Sequence, residues 1–422
     1  MANSNSEFIK EITARGFIHQ ATDIDNLDKL LKNNNLVPGY IGFDCTAPSL
    51  HVGSLIQIML LRWYQKCGHI PIILIGGGTT LIGDPSGKDE SRKLLTNEII
   101  EKNTAGIKNV FNKFIKFDQS DNAALIVNNA EWLTKINYIN FLRDYGKHFS
   151  INRMLGFDSV KLRLDREQPL SFLEFNYMIL QAYDFHELNK RYNCQLQMGG
   201  SDQWGNIVNG VELHRRVNVG DNKTIYGLTS PLITTSSGSK MGKTAKGAVW
   251  LNQDLCSPWD YWQFWRNTED QDVIRFIKLF TEIDFSEINK LEKLQGSEIN
   301  DAKIILADSA TTLLHGEKFA KEAKETAKNL FHKENSEANL PSIELSKNDL
   351  QNGVSILDCF IKNNYLVNSK SDARRLIRGK GAKLNDIIIE DENYILSIND
   401  FLNASSVKLS AGKKRHILIK II

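Results

Sequence analysis

The stretch from Tyr40 to Leu55 carries side chains that could bind an anion. Its apolar beginning predicts a short buried strand, and the apolar spacing from Ser54 to Gln65 predicts a helix that starts soon after the strand ends. Such a helix points its free N–H groups and the positive end of its dipole beyond the strand, which favours phosphate. Thr46 and His51 could add hydrogen-bond donors. Taken alone, the stretch is explained more simply as an ordinary strand-to-helix turn with a surface histidine.

A second run, Gln197 to Asn206, reads QMGGSDQWGN and follows another predicted buried strand. Glycine and polar residues are denser here than a simple turn requires. Open parallel sheets bind ligands at the carboxyl edge of their strands. The run therefore predicts a ligand-binding loop at that edge.

Tyr177, Gln181 and Asp184 lie four and three residues apart, which places them on one stripe of a helix. A stripe of phenol, amide and carboxylate is either solvated or lines a pocket. The apolar neighbours Phe175, Met178 and Leu180 predict a well-packed helix, and this favours the pocket.

Two Gly-rich segments come close to a phosphate-binding P-loop. Gly83 to Lys88 and Gly238 to Thr244 are each one residue short of the required Gly-x4-Gly-Lys spacing. The first also has Asp89 where the loop needs a hydroxyl, and a proline turn explains it about as well. A P-loop nucleotide hydrolase is thus a poor second hypothesis.

Composition and charge exclude several classes of protein. Five scattered cysteines without a Cys-x-x-Cys pair argue against a disulfide framework and a zinc site. No apolar run approaches the roughly 18 residues of a membrane span, and residues 1–10 are polar, so we expect a cytoplasmic protein. Residues 351–422 hold 12 Lys and Arg against 7 Asp and Glu, whereas residues 1–350 hold 40 against 43. A basic tail predicts a polyanionic partner, with nucleic acid the leading candidate.

The order of the predicted elements indicates an α/β fold. Strand, helix and strand over residues 40–75 form a βαβ unit, and hence a parallel sheet. Further strands are predicted near 125–127, 195–198 and 228–233, with a helical insertion at about 130–190. We expect a first domain over 1–250, a helical domain over 251–335, a linker over 336–350 and a small α+β domain over 351–422.

Five motifs in this order resemble those of one enzyme family. His51-Val-Gly-Ser54 looks like the first signature, HIGH, of class I aminoacyl-tRNA synthetases, and Lys240-Met-Gly-Lys-Thr244 looks like their second, KMSKS. With GDPSGK, the Tyr177 stripe and GGSDQWGN, they resemble the bacterial-type tyrosyl-tRNA synthetases. The tail from Ser369 is similar to the S4 RNA-binding module of these enzymes. The resemblance spans nearly the whole chain and implies a Rossmann-like catalytic domain, an all-helical domain and an S4-like domain.

The resemblance also implies an activity. The family activates L-tyrosine with ATP to tyrosyl-adenylate, then transfers tyrosine to the 3′-terminal adenosine of tRNA(Tyr). ATP would be a substrate that carries its own Mg2+, with no prosthetic group and no protein metal site, and the protein would be a homodimer. The tyrosine carboxylate is already ionised at neutral pH, so the site needs no general base for activation.

By motif position, the resemblance assigns residues to each substrate. The phenol hydroxyl of tyrosine would meet Tyr40 and Asp184, its α-ammonium group would meet Asp84, Tyr177 and Gln181, and Gln203 would lie near the reacting carboxylate. ATP would be bound by Gly42, Asp44, Thr46, His51, Gly53, Ser54, Gly199, Asp202 and Lys243. The catalytic residues that stabilise phosphate charge would be Thr46, His51, Lys88, Arg92, Lys240, Lys243 and Thr244. RNA would be bound by Lys370, Arg374, Arg375, Arg378, Lys380 and Lys383.

Three departures from the family pattern stand out. Ser54 replaces the second histidine of HIGH, Ile41 stands where some relatives have a polar residue, and Gly242 and Thr244 replace the serines of KMSKS. A glycine at 242 adds freedom to a loop that closes over ATP.

Two rival functions differ in what they require of the sequence. A tryptophanyl enzyme shares the fold and both signatures, but Tyr40, Asp184 and the S4-like tail favour tyrosine. A non-catalytic RNA-binding protein of the same fold would not need His51, Lys240 and Lys243.

Overall fold

The computed structural model describes residues 5–86, 95–220, 223–238, 241–244, 247–334, 341–362, 366–401, 404–412 and 415–422. Within these ranges, the side chains of residues 158–159, 243–244 and 330–334 are not described. Inter-residue contacts divide the chain into two compact units, residues 1–324 and 325–422. No helix among the described residues is long and apolar enough to cross a membrane.

A six-stranded sheet forms the centre of the first unit. Its strands are β1 Gln20–Ala21, β2 Pro38–Asp44, β3 Ile70–Gly76, β4 Leu125–Asn128, β5 Leu196–Gly200 and β6 Tyr226–Ser230. They lie in the order β1-β6-β5-β2-β3-β4, and every pair is parallel except β1 with β6. The chain adds strands on one side of β2 and later returns to add β5 and β6 on the other side. This reversal creates a crevice at the carboxyl ends of β2 and β5.

The sequence of β3 explains why this strand is buried in the sheet. The run Ile-Pro-Ile-Ile-Leu-Ile-Gly of β3 is apolar without alternation, as expected of a strand covered on both faces. Six of its seven residues are buried. The predicted βαβ unit is confirmed, with its helix between β2 and β3.

Helices pack on the sheet, and two further segments, residues 130–192 and 258–334, are largely helical. In the first unit they are α1 Glu7–Arg15, α2 Ile24–Asn33, α3 Leu55–Lys66, α4 Asn97–Phe114, α5 Ala130–Leu133, α6 Tyr138–Asp144, α7 Ile151–Leu155, α8 Asp158–Asp165, α9 Phe172–Phe175, α10 Tyr177–Tyr192, α11 Trp204–Val217, α12 Pro258–Arg266, α13 Val273–Phe280, α14 Phe285–Leu291, α15 Ile299–His315 and α16 Glu317–Glu334, the last of which crosses the boundary between the units. A short hairpin, β7 Lys243–Thr244 with β8 Gly247–Ala248, follows the sheet.

Helices after residue 251 belong to the same compact unit as the sheet, although the sequence predicted a separate domain there. Helix α13 packs on α3, and α15 packs on α4. The buried side chain of Arg15 donates hydrogen bonds to the carbonyl groups of Lys278, Thr281 and Ile283. Periodicity identifies such helices but not the surface against which they pack, so it could not show this union.

Besides the end of α16, the described part of the second unit contains a five-stranded sheet, a two-stranded sheet and three short helices. Its elements are β9 Ser342–Leu345, α17 Lys347–Asn352, β10 Val354–Ser355, α18 Ile356–Ile361, α19 Lys370–Arg378, β11 Ala382–Leu384, β12 Ile387–Ile388, β13 Ile395–Leu396, β14 Ser406–Ala411 and β15 Arg415–Ile421. The order is β12-β11-β14-β15-β9, with only the last pair parallel. Leu350, Phe360 and Ile417 lie in its core.

The linker prediction for 336–350 is wrong for residues 341–350. They form β9 and the beginning of α17, because Ile343 and Leu345 alternate with polar residues and bury their side chains beside β15. Residues 335–340 lie outside the described part of the chain. Other boundaries moved by a few residues: the last parallel strand ends at Ser230 rather than at 233, and the helix predicted near 170–183 is α10, which runs to Tyr192.

Candidate active site

A cavity of about 300 Å³ opens at the carboxyl ends of β2 and β5. It collects residues from β2, from α10 and from the turn that joins β5 to α11. Thirteen residues selected from the sequence line it: Tyr40, Gly42, Asp44, Thr46, Gly53, Ser54, Asp84, Tyr177, Gln181, Asp184, Gly199, Asp202 and Gln203. Segments that are far apart in the chain therefore meet at one place.

Asp184 and Tyr40 lie in the most buried part of the cavity wall, and each is 1% exposed. Asp184 Oδ1 accepts a hydrogen bond from Trp132 Nε1 at 2.7 Å, and Oδ2 accepts one from Asn129 Nδ2 at 2.9 Å. Burial raises the pKa of Asp184 to about 7, although these two hydrogen bonds act to lower it. Among the described residues, the Tyr40 hydroxyl has no hydrogen-bond partner. A ligand hydroxyl placed here could donate to the carboxylate and accept from the phenol.

A second polar group lies where Asp44 and Asp84 face the cavity. Tyr177 Oη donates to Asp44 Oδ2 at 3.0 Å, and Thr79 Oγ1 donates to Asp44 Oδ1 at 2.7 Å. Gln203 Nε2 donates to Asp84 Oδ2 at 2.9 Å. With Asp184 and Asp202, the described lining contains four aspartates and no Lys, Arg or His. This part of the cavity therefore favours a ligand that presents a cationic group.

The beginning of α3 borders the same cavity through Gly53 and Ser54. A 3-10 turn at Val52–Ser54 leads into α3, which begins at Leu55, one residue after the predicted start. The N–H groups of Gly53 and Ser54 donate to His51, so they are not free as the sequence predicted. His51 is not among the lining residues: its Nδ1 accepts a hydrogen bond from the Gly53 N–H at 2.9 Å, and its ring meets Trp250 edge-on with centroids 6.2 Å apart.

The second signature loop packs against the first signature. A Cβ atom added at Gly53 would lie 3.2 Å from the carbonyl oxygen of Met241. A Cβ atom added at Gly242 would lie 3.0 Å from the backbone nitrogen of Gly53. Gly242 has φ +81°, a backbone conformation that L side chains rarely adopt. Glycine replaces the serine of the family pattern here at a position where a side chain would be both strained and crowded.

Several predicted residues receive no structural test. Lys88, Arg92 and Lys240 lie outside the described residues. Lys243 and Thr244 form β7, but their side chains are not described.

Comparison with known proteins decides the family. The family model described as tRNA synthetases class I (W and Y) matches residues 32–332. The chain belongs to the class I tRNA synthetases. Its relatives include the tyrosine–tRNA ligase of Beijerinckia indica, 58% identical over 99% of this chain and 97% of the relative. That of Rhodopseudomonas palustris is 55% identical, and the match covers 100% of both chains. These matches confirm the resemblance to bacterial-type tyrosyl-tRNA synthetases.

Solved structures agree with this assignment. A C-terminally truncated mitochondrial tyrosyl-tRNA synthetase of Aspergillus nidulans is 32% identical with a TM-score of 0.68, and the match covers 77% of this chain and 94% of that chain. The tryptophanyl-tRNA synthetase of Aeropyrum pernix K1, at 14% identity and a TM-score of 0.54, shows a shared fold alone. The predicted α/β class with a parallel sheet is confirmed.

Two residues that support Asp184 in this class I synthetase, Asn129 and Trp132, were not evident from the sequence. Asn129 donates to both Asp184 and Thr79, and its Oδ1 accepts from the Gly78 N–H. Trp132 lies one helical turn further on. One signal was present: Asn128 and Asn129 directly follow the predicted strand at 125–127, at the ligand-binding edge of the sheet. Gln57 also lines the cavity, and its position on an apolar helix gave no sign of this.

Replacing Asp184 by asparagine in this synthetase should change how stability depends on pH. The pKa of Asp184 is about 7 in the folded protein, against an ordinary value of 3.8. Between these values the folded state keeps a proton that the unfolded state releases, so this group lowers stability as pH rises towards 7. The free energy of unfolding of Asp184→Asn minus that of the wild type should therefore increase from about pH 5 to about pH 6.5, by about 1.4 kcal/mol per unit.

Urea unfolding followed by tryptophan fluorescence measures this difference, because all seven tryptophans lie in residues 1–324. Asp118→Asn is the matched control. Asp118 is exposed and hydrogen bonds from Ser120 lower its pKa, so its difference should stay flat over the same range. Equal slopes in the two variants would contradict the assignment of the titration to Asp184.

Proposed function

We propose that this protein joins L-tyrosine to tRNA(Tyr) in the cytoplasm in two steps. In the first, the tyrosine carboxylate attacks the α-phosphorus of ATP, and pyrophosphate leaves. In the second, a hydroxyl of the terminal adenosine of the tRNA attacks the carbonyl carbon of tyrosyl-adenylate, and AMP leaves. The observation that carries the proposal is the buried pair of Asp184 and Tyr40 in the cavity.

This pair suits a phenol better than the other aromatic side chains. A phenol hydroxyl donates to Asp184 and accepts from Tyr40, whereas an indole N–H can only donate. Phenylalanine would leave the Tyr40 hydroxyl without a partner, which costs about 1–3 kcal/mol, and would not use the remaining capacity of Asp184 to accept a hydrogen bond. Binding of tyrosine over phenylalanine then follows from hydrogen bonding rather than from shape.

The acidic wall suits the rest of the amino acid. Asp84, Tyr177 and Gln181 would hold the α-ammonium group. Asp44, which the sequence placed with ATP, bonds to Tyr177, so it also acts at this end. Gln203, whose amide bonds to Asp84, would lie beside the reacting carboxylate.

ATP would occupy the open part of the cavity with its Mg2+. The beginning of α3, with Thr46, Gly53 and Ser54, would face the phosphates, while Gly42, Gly199 and Asp202 would meet the adenosine. His51, Lys88, Arg92, Lys240, Lys243 and Thr244 would supply the charge and hydrogen bonds that stabilise the transition state. Because the nucleophile is already ionised, positioning and electrostatic stabilisation suffice.

Tyrosine should stimulate exchange of labelled pyrophosphate into ATP by the purified protein without tRNA. Phenylalanine and tryptophan should not do so at equal concentration, because neither satisfies both Asp184 and Tyr40. Absence of exchange would refute the proposed enzyme, and exchange driven by tryptophan would reassign its specificity.

The same assay tests the role of Asp184. Asp184→Asn should raise KM for tyrosine by about tenfold or more, the loss of a hydrogen bond to a charged group, and should leave KM for ATP nearly unchanged. Equal changes in both constants would indicate that Asp184 supports the fold and does not read the phenol.

We further propose that residues 325–422 bind the tRNA backbone, as an S4-like module would. The N-cap of α19 is Ser369, as predicted, and its hydroxyl accepts the Asp372 N–H at 3.1 Å. Arg374 and Arg378 both pair with Glu392, and Arg375 pairs with Asp372. Lys370 and Lys380 pair with Asp358 and Glu390, and Lys383 lies on β11. Exposed ion pairs of this kind contribute little, so phosphate can replace the acidic partner.

Replacing Arg374, Arg375 and Arg378 together by alanine should lower kcat/KM for tRNA in the charging reaction by about tenfold. Pyrophosphate exchange should not change, because the cavity lies in the other unit. Glu392→Gln is a control for which the opposite change in tRNA affinity is expected. It removes the acidic partner of Arg374 and Arg378, so affinity for tRNA should rise. Unchanged charging by the triple variant would remove the role given to α19.

We also propose that the protein is a homodimer that associates through the helical insertion. Nine large apolar side chains are exposed between residues 138 and 173, which is unusual for a surface that remains in water. They are Tyr138, Ile139, Leu142, Ile151, Leu155, Leu162, Leu164, Phe172 and Leu173.

Phe172→Asp should convert the dimer to monomers at micromolar concentration in sedimentation velocity, because it places a charge on a side chain that is 71% exposed in the single chain. Val219→Asp changes an apolar residue that is 86% exposed and lies outside this stretch. That control should remain dimeric, and a dimer that survives Phe172→Asp would place the interface elsewhere.

A further inference from the structure

Helix α10 carries a second polar stripe beside the one that faces the cavity. Tyr183, Glu187 and Arg191 lie four residues apart on it, and Asp184 directly follows Tyr183. Tyr183 Oη donates to Glu187 Oε1 at 2.9 Å, and Arg191 Nε donates to Glu187 Oε2 at 2.7 Å. Both oxygens of Glu187 are therefore occupied, and its side chain is 5% exposed.

Glu187 is held as a carboxylate in this position. Its burial acts to raise its pKa, but the hydrogen bonds from Arg191 and Tyr183 outweigh burial and the net shift is downward. A buried carboxylate with two fixed donors leaves Arg191 little freedom at its Nε. Glu187 thus determines where the guanidinium lies.

The guanidinium of Arg191 lies over the ring of Trp132, with Cζ 5.0 Å from the ring centroid. The same indole donates its N–H to Asp184. Trp132 is 4% exposed and the Arg191 side chain is 40% exposed, so a partly exposed cation covers a buried ring. Three contacts in series therefore connect Glu187 to the carboxylate in the cavity: Glu187 to Arg191, Arg191 to Trp132, and Trp132 to Asp184.

This series has two physical effects on Asp184. A cation over an indole face is attracted to the π electrons and holds the ring in place. It also draws electron density from the ring, which makes the indole N–H a stronger donor. An ordinary exposed ion pair between residues four apart on a helix would have neither effect, because its cation would contact only solvent.

We propose that Arg191, held by Glu187, is a positioning residue for amino-acid specificity that acts through Trp132 on Asp184. The inference rests on the proposed function, because it assigns Asp184 to the substrate phenol. Arg191 is not among the residues that line the cavity. Its contribution is to fix the donor that orients the Asp184 carboxylate, so that the carboxylate keeps a lone pair directed at the ligand hydroxyl.

The test compares the binding of tyrosine with that of phenylalanine in the full-length protein. Equilibrium dialysis with labelled tyrosine, with unlabelled phenylalanine as competitor, gives both dissociation constants in one sample, and their ratio does not depend on the fraction of folded protein. Arg191→Met removes the charge and keeps the length of the side chain, whereas Arg191→Lys keeps a cation. Lys321→Met is the matched control, since Lys321 pairs with Glu317 four residues away on an exposed helix.

Arg191→Met should reduce the ratio of the phenylalanine to the tyrosine dissociation constant by about threefold to fivefold, the size of a cation–π contact with a partly exposed cation. Arg191→Lys should recover part of this loss, and Lys321→Met should match the wild type. In a Trp132→Phe background, which has a ring but no N–H donor, Arg191→Met should change the ratio by less than about twofold because the connection is already broken.

Two outcomes would overturn the inference. One is an unchanged ratio in Arg191→Met, and the other is an equal reduction in the wild-type and Trp132→Phe backgrounds. Pyrophosphate exchange by the wild type, run in parallel, separates these outcomes from failure of the proposed function. A wild type that exchanges with tyrosine while Arg191→Met keeps its ratio refutes only the role of Arg191, whereas a wild type without exchange refutes both.

Discussion

The site depends on a carboxyl group held away from water. Asp184 is buried at the edge of a parallel sheet, where desolvation penalises its charged form and raises its pKa to about 7. Asn129 and Trp132 each give it one hydrogen bond, and these offset part of that penalty. The remaining capacity of the carboxylate to accept a hydrogen bond is what a ligand hydroxyl can use. In the proposed function, specificity comes from a buried polar group that is incompletely satisfied in the free protein.

Polarity is divided between the two ends of the cavity. The inner wall is acidic, with Asp44 and Asp84 held by hydrogen bonds from Tyr177 and Gln203. The outer wall contains Gly53 and Ser54, which precede α3 and whose N–H groups donate to His51. In the proposed function, the acidic wall faces the α-ammonium group of tyrosine and the polyphosphate occupies the rest of the cavity. The reversal of strand order around β2 brings these two walls together.

The second unit follows a different electrostatic plan. Its three helical arginines, Arg374, Arg375 and Arg378, are partly or fully exposed on α19 and pair with Asp372 or Glu392, so their charge is not buried away from a competing anion. Buried charge suits recognition of one small group by exact hydrogen bonding. Exposed charge suits a long polyanion that can displace weak partners one after another. The two units thus use ionisable residues under opposite conditions of solvation.

Local pattern explains most of what could be predicted. The apolar run of β3, the helical spacing of α3 and the Ser369 cap of α19 depend on neighbours in the chain, so they were evident from the residues. Ordered motifs also indicated thirteen of the residues that meet in the cavity. Asn129 and Trp132 were not indicated, because their importance comes from contact with Asp184, more than fifty residues away.

By itself, the sequence determined the type of fold, the family and the chemistry that the site offers, since these reside in periodicity and in residue identity. Tertiary structure alone decided that the helices after 251 join the first unit, that residues 342–345 form a strand beside β15, and that Arg191 lies over Trp132. Each of these is a contact between segments distant in sequence. Such contacts are selected by burial and by shape in three dimensions, and the periodicity of one segment does not identify the segment that it contacts.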